Sequence, residues 1–261
     1  MKGPMIVKLG GSVITDKRRN KPIARMRDIK RLAREIAKAR RSRPLILLYG
    51  GGSFGHPLAR QYRLSGRALS RGAFFGLGKT SAAMRVLGEV LAGALMDEGI
   101  PIVPLQTSAF VKEERGRLIF TNLPIIKTIL VKGGVPLLGG DGVIADGRRI
   151  EIASADRLAV TLARHFHSHK VFFATDVDGV YKTFPPKKEE RPLRTITRKS
   201  LGAFSQTSAK GNARDVTGAM GGKLRALFAL RACTVTIFNG LTPGALGEVL
   251  RDKQHGTRIE L

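Results

Sequence analysis

Six short aliphatic runs punctuate the chain: MIVKLG (5–10), LILLYG (45–50), IPIVPLQ (100–106), VPLLGG (135–140), VFFATDV (171–177) and TVTIFNG (234–240). Four of them run straight into glycine. Segments so short and so uniformly apolar are predicted as strands buried on both faces. Between them lies helical spacing: Ile29, Leu32, Ala33 and Ile36 mark one face of residues 24–40, and 79–98, 154–166 and 221–232 repeat the pattern. This alternation restricts the chain to an α/β fold, an open, mainly parallel central sheet sandwiched by helices. Two stretches break the rhythm, FVKEERGRLIF and VIADGRRIEI, and are predicted as hairpins at the edge of the site, the second turning at Asp146-Gly147. FPPKKEERP (184–192) reads as a polar excursion. A division falls near residue 170, giving lobes of 1–170 and 171–261.

With 261 residues, 43% of them hydrophobic, the chain can bury a large core. Its apolar runs fall far short of the roughly 20 residues a membrane helix needs, and it opens on a charged strand instead of a leader, so a cytoplasmic enzyme without membrane contact is expected. Cys233 is the sole cysteine, which rules out an internal disulfide or a thiolate metal cluster; its setting in RACTVTIF predicts a buried structural thiol.

The formal net charge is +26, a field that attracts polyanions. Residues 17–43 carry thirteen basic side chains against two acidic ones, and 36–88 contain no Asp or Glu. Nucleic-acid binding through phosphates is one reading. A solvated basic helix face plus a pocket for small anions is favoured, because no aromatic-interleaved basic motif accompanies the charge.

Three glycine turns follow strands: Lys8-Leu9-Gly10-Gly11-Ser12, Gly50-Gly51-Gly52-Ser53 and Gly139-Gly140-Asp141-Gly142. In an open α/β sheet, ligands bind beyond the carboxyl ends of the strands, where such turns bring backbone N–H groups close to an anion. Two familiar nucleotide motifs fail. GGGSFG has the spelling of a dinucleotide turn, yet no acidic residue follows before Glu89 to hold a ribose. GLGKT (76–80) resembles the end of a P-loop, but the required first glycine falls on Ala73, so Lys79 and Thr80 are predicted to begin a helix. What remains is a phosphate site served by lysines: Lys8 at the end of the first strand, Lys17 in the following loop, and Lys223 opening a helix after DVTGAMGG. Phosphoryl transfer asks for positive charge and alignment more than for covalent chemistry. His165, His167 and His169 in HFHSHK lack a carboxylate partner at useful spacing, so a solvated helix end is expected and no metal site.

KLGGSVITDK (8–17), GGGSFGH (50–56), SADRLA (154–159), TDVDGVY (175–181) and DVTGAMGGK (215–223), in that order, resemble the amino acid kinase superfamily over nearly the whole chain. The histidine directly after GGGSFG is similar to the members whose acceptor is a phosphate monoester. The resemblance implies ATP-dependent phosphorylation of isopentenyl phosphate to isopentenyl diphosphate, with Mg²⁺ carried on the nucleotide and a homodimer as the assembly. It also implies roles. Lys8 and Lys223 neutralise the transferred phosphoryl group, Asp156 holds them, and Lys17 acts from the opposite side. Gly10, Gly11, Ser12, Gly52 and the segment at Ala219 line the nucleotide phosphates, Asp176 lies near the nucleoside, and Gly51 and His56 grip the acceptor phosphate. Beside that grip an isoprenoid tail needs an apolar slot, which Phe74 and Phe75, with Leu69, Leu77 and Met84, are expected to supply. The chain departs from the pattern at Ala219, where a second glycine is usual, and in its excess of basic residues. The rivals are another kinase of the superfamily, of the phosphonate (fosfomycin) or amino acid type, and a basic nucleotide-dependent RNA-binding or regulatory protein.

Overall fold

The computed structural model describes residues 3–16, 21–40, 43–183, 189–200, 224 and 226–261. In chain order its elements begin with β1 (Met5–Leu9), α1 (Gly11–Ile14), β2 (Thr15–Asp16), β3 (Ile23–Ala24), α2 (Met26–Arg40), β4 (Leu45–Tyr49), α3 (Gly52–Gln61), β5 (Arg67–Ala68) and α4 (Arg71–Met96). There follow β6 (Ile102–Leu105), α5 (Thr107–Phe110), β7 (Val111–Glu114), β8 (Arg117–Phe120), α6 (Leu123–Val131), β9 (Val135–Gly139), β10 (Asp141–Ala145), β11 (Arg149–Ala153) and α7 (Ala155–His165). The last are β12 (Lys170–Thr175), β13 (Thr195–Thr197), β14 (Thr234–Asn239), α8 (Ala245–Leu250) and β15 (Thr257–Glu260).

Eight of the strands form one sheet in the order β13-β15-β14-β12-β1-β4-β9-β6. Every pair in it is parallel except β14 with β15. Its central strands are the aliphatic runs of the sequence, buried throughout because helices cover both faces. On one face Ile29, Leu32, Ala33 and Ile36 of α2 pack with Leu87 and Leu91 of α4 and Leu246 of α8. On the other, Leu158, Ala159 and Leu162 of α7 pack with Ile6, Ile46 and Phe173. Burial of each such side chain stabilises the fold by about 1.5–3 kcal/mol. Residues 1–170 and 171–261 share this sheet, since β1 pairs with β12.

A smaller five-stranded sheet, β5-β11-β10-β7-β8, contains both expected hairpins. Arg115 (φ 48°) and Gly116 (φ 76°) turn the first of them, as do Asp146 (φ 47°) and Gly147 (φ 67°) the second. Two consecutive positive φ angles suit the right-handed twist of a tight hairpin. One boundary differs from expectation: Lys79 and Thr80 do not begin a helix but lie two turns inside α4. Ser70 starts it instead, its side chain accepting a hydrogen bond from the N–H of Ala73 at 3.1 Å. The predicted helix over 221–232 falls partly outside the described residues. Cys233 is buried, which pushes its thiol pKa up to about 12.

Candidate active site

Because the central strands run parallel, their carboxyl ends meet along one edge of the sheet. Backbone hydrogen bonds tie the turns there to one another: Gly140 N–H to Tyr49 O (3.0 Å), Gly50 N–H to Leu9 O (3.0 Å), Gly10 N–H to Ala174 O (2.9 Å) and Gly240 N–H to Thr175 O (2.8 Å). Each glycine thus donates to the chain at the end of the neighbouring strand. The glycine turns that the sequence offered as separate features form one continuous row.

The first two turns are in direct contact. A Cβ on Gly11 would lie 2.3 Å from the Gly52 nitrogen, and one on Gly50 would lie 2.9 Å from the Gly11 nitrogen. Nothing larger than glycine fits at Gly11. Gly52 carries a second demand, a φ of 47°, in the left-handed region that glycine tolerates without penalty. Holding the turns together is Thr15, fully buried, whose Oγ1 donates to Gly11 O at 2.6 Å and accepts from Ser53 N–H at 3.0 Å. One hydroxyl therefore bridges the first phosphate turn and the first turn of α3. Gly11 and Ser12 at the start of α1, and Gly52 at the start of α3, also present N–H groups that first-turn geometry leaves without an acceptor inside the helix.

Charge is concentrated on the first turn. Lys8 is 9% exposed, and its Nζ lies 2.9 Å from Asp156 Oδ1. Asp156 sits in the first turn of α7, where the helix dipole favours a carboxylate, and Ser154 caps that helix by accepting from Arg157 N–H. The second turn differs. His56 is exposed on α3, its Cδ2 3.3 Å from where a Cβ on Gly51 would be, and Met84 Sδ approaches the same point at 3.2 Å.

From Met84 a stripe runs down α4 through Ser81 and Leu77 to Phe74, spaced i, i+3, i+7 and i+10 on one helical face. Leu77 packs against Gly142. Phe74 is 49% exposed at the end of this stripe. Phe75 lies off it: it meets Tyr62 edge-to-face at 6.0 Å, with Lys79 Nζ 5.5 Å from its ring centre. Behind the stripe, Asp141 is buried and accepts from Ser81 Oγ (2.6 Å) and Gly142 N–H (2.8 Å). Burial raises its pKa, and hydrogen bonds from Ser81, Ser108 and Gly142 offset part of the rise. Tyr49 donates to Met84 O at 3.1 Å and so ties α4 to the sheet; burial, then the charges of Asp141 and Glu89, raise its phenol well above the usual value.

The structure thus brings Lys8, Gly10, Gly11, Ser12, Gly51, Gly52, His56 and Asp156 together at the carboxyl edge of the sheet. Asp176 follows β12 at the same sheet edge and is exposed. Lys17, Ala219 and Lys223 lie outside the described residues. Sequence reasoning gave no role to Thr15 or Asp141. Thr15 belongs to the KLGGSVITDK stretch, but its partner is 38 positions away. An aspartate in a glycine turn directly after a buried strand was the available signal for Asp141.

The amino acid kinase family pattern matches residues 4–239. The chain belongs to the amino acid kinase family. Among members of that family, it is 35% identical over 264 residues to the isopentenyl phosphate kinase of Methanothermobacter thermautotrophicus, with 98% of each chain covered. It is 31% identical over 265 residues to the isopentenyl phosphate kinase of Methanocaldococcus jannaschii, again with 98% of each covered. An X-ray structure of an isopentenyl phosphate kinase superposes with a TM-score of 0.84 at 32% identity, covering 98% of this chain and 99% of that one. The amino acid kinase fold accounts for the mainly parallel sheet, its helical layers and the row of turns at its carboxyl edge.

Proposed function

We infer that the protein transfers the γ-phosphoryl group of ATP to isopentenyl phosphate, giving isopentenyl diphosphate and ADP. The observation that carries this reading is the contact between the two glycine turns, one bearing a buried lysine and the other followed by His56. Full-length similarity to isopentenyl phosphate kinases supports it.

The chemical problem is repulsion between anions. Two like unit charges 4 Å apart cost about 4 kcal/mol at an effective dielectric constant of about 20, and each phosphate brings more than one charge. The acceptor oxygen is already anionic, so no strong base is needed. That oxygen attacks the γ-phosphorus while the bond to the β,γ-bridging oxygen breaks, and the electron pair leaves on ADP.

We assign Lys8, held by Asp156, to neutralise the transferred group, and the N–H groups of Gly10, Gly11, Ser12 and Gly52 to line the nucleotide phosphates. Lys17, Ala219 and Lys223 take their places by motif, the two lysines at the transferred group and Ala219 beside the nucleotide. Asp176 is assigned to the nucleoside side. Gly51 and His56 grip the acceptor phosphate, and the stripe ending at Phe74 receives the tail, with Phe75 at its rim. Such positioning supplies most of the catalysis.

Mg²⁺ is expected as an ion carried on the nucleotide, where it would neutralise phosphate charge beside Lys8. The acceptor lobe is residues 1–170 and the nucleotide lobe 171–261. We further propose a homodimer, supported by Val86 and Met96 on α4 and Ile125 and Val131 on α6, which are apolar and exposed. Cytoplasmic location is the accompanying expectation; no helix among the described residues is long and apolar enough to cross a membrane. A coupled ADP-release assay offering isopentenyl phosphate, fosfomycin and acidic amino acids separately tests the reading. Turnover with isopentenyl phosphate alone is expected, and absence of turnover with it overturns the assignment.

A further inference from the structure

The opposite end of the sheet holds a second concavity. Strand register pairs Phe172 with Thr236 and Thr236 with Arg258, so these three side chains form one row across β12, β14 and β15 on a single face. Lys170 stands one pleat away on that face. The end of α8 and the residues after it, including Asp252 and Lys253, make the facing wall of a cavity of about 300 Å³. At about 3.3 Å per residue, roughly 10 Å of strand separates Phe172 from Thr175 at the active-site edge.

Positive charge inside this cavity is only partly compensated. Asp252 is engaged by Lys170 and lies 3.8 Å from Arg43. The Arg258 guanidinium and the Lys253 ammonium have no hydrogen-bond or ion-pair partner among the described residues. Thr236 is 7% exposed, and its hydroxyl likewise has no partner among them. Strand register sets Thr236 directly across from Arg258, so its hydroxyl and the unpaired guanidinium open into the same cavity. The guanidinium fork matches the oxygens of phosphate or carboxylate. Two uncompensated cations favour a dianion over a monocarboxylate, and Phe172 supplies an apolar floor for what the anion carries.

We propose that this cavity is a second anion site, for a small molecule with a terminal phosphate or diphosphate, in which Arg258 and Lys253 neutralise the anion and Thr236 donates a hydrogen bond to it. Pyrophosphate is the probe, titrated calorimetrically at 0.15 M salt into full-length Lys8→Ala protein, so that binding in the active-site cleft is weakened in every arm. One pyrophosphate per chain is expected to bind. Adding Arg258→Gln weakens it at least about tenfold, and Thr236→Val, nearly isosteric and so the safer variant for folding, about threefold or more. Lys132→Gln removes the same charge from an exposed position and changes the affinity less than about twofold. In the Lys8-intact background, Arg258→Gln leaves kinase turnover unchanged. Equal affinity in the Arg258 and Thr236 variants, or an equal loss with Lys132→Gln, overturns the proposal.

Discussion

The two glycine turns at the carboxyl edge of the sheet share a backbone recipe and differ in what surrounds it. The turn at Gly10–Ser12 is enclosed, with a nearly buried lysine fixed by a carboxylate from α7. The turn at Gly50–Ser53 opens outward into α3, with an exposed imidazole and a thioether wall. An enclosed, fixed charge suits a group whose charge must be met the same way in every turnover. An open grip beside an apolar stripe suits an acceptor that enters and leaves. Under the proposed function, the asymmetry predicts that the first turn governs turnover and the second acceptor affinity.

Gly52→Ala strikes both turns and should have the largest effect. Its Cβ would sit 2.0 Å from Thr15 Oγ1 and 2.8 Å from Gly11 O, at a φ of 47°. Turnover should fall to background in the coupled assay. Thermal unfolding should move down by a few degrees, since the left-handed conformation alone costs a non-glycine residue about 1–2 kcal/mol. Lys8→Ala sharpens the contrast: kcat should drop about 10²–10³-fold with the acceptor KM within about twofold, as expected for a group that acts on developing charge.

Thr15→Val tests the bridge itself. It keeps the volume but loses the bond to Gly11 O and strands the Ser53 N–H, and steady-state kinetics should show kcat lower by about 10–10²-fold. Thr15→Ser, which keeps the hydroxyl, should recover most of that loss. A purely space-filling role predicts the reverse ranking of the two variants. His56→Ala is the mildest: the acceptor KM should rise about tenfold while the nucleotide KM stays constant, the scale of one charge-assisted hydrogen bond. If it instead lowers kcat as Lys8→Ala does, without moving KM, the division of labour between the turns is lost.

Much of this was legible in the sequence because it is written locally. A buried parallel strand is an unbroken apolar run, and glycine at its end marks where the backbone turns. Asp146-Gly147 signals a tight hairpin through the φ values it accepts. The start of α4 was misplaced because Gly76 and Gly78 interrupt the helical pattern ahead of Lys79, although Ser70 was present as a cap. Thr15 was silent, since a threonine in a loop looks the same whether or not its hydroxyl reaches a nitrogen 38 positions on. Phe74 and Phe75 are neighbours in sequence, yet helical geometry sends them to different surroundings, a separation that composition cannot express.

Because a single threonine oxygen spans from one turn to the other, the spacing of the two turns is written into the main chain, and under the proposed function that spacing would set the gap across which phosphorus travels. On that reading, exchanging Leu77 or Phe74 on α4, away from the turns, should admit longer or shorter alcohol phosphates while the reacting atoms keep their alignment.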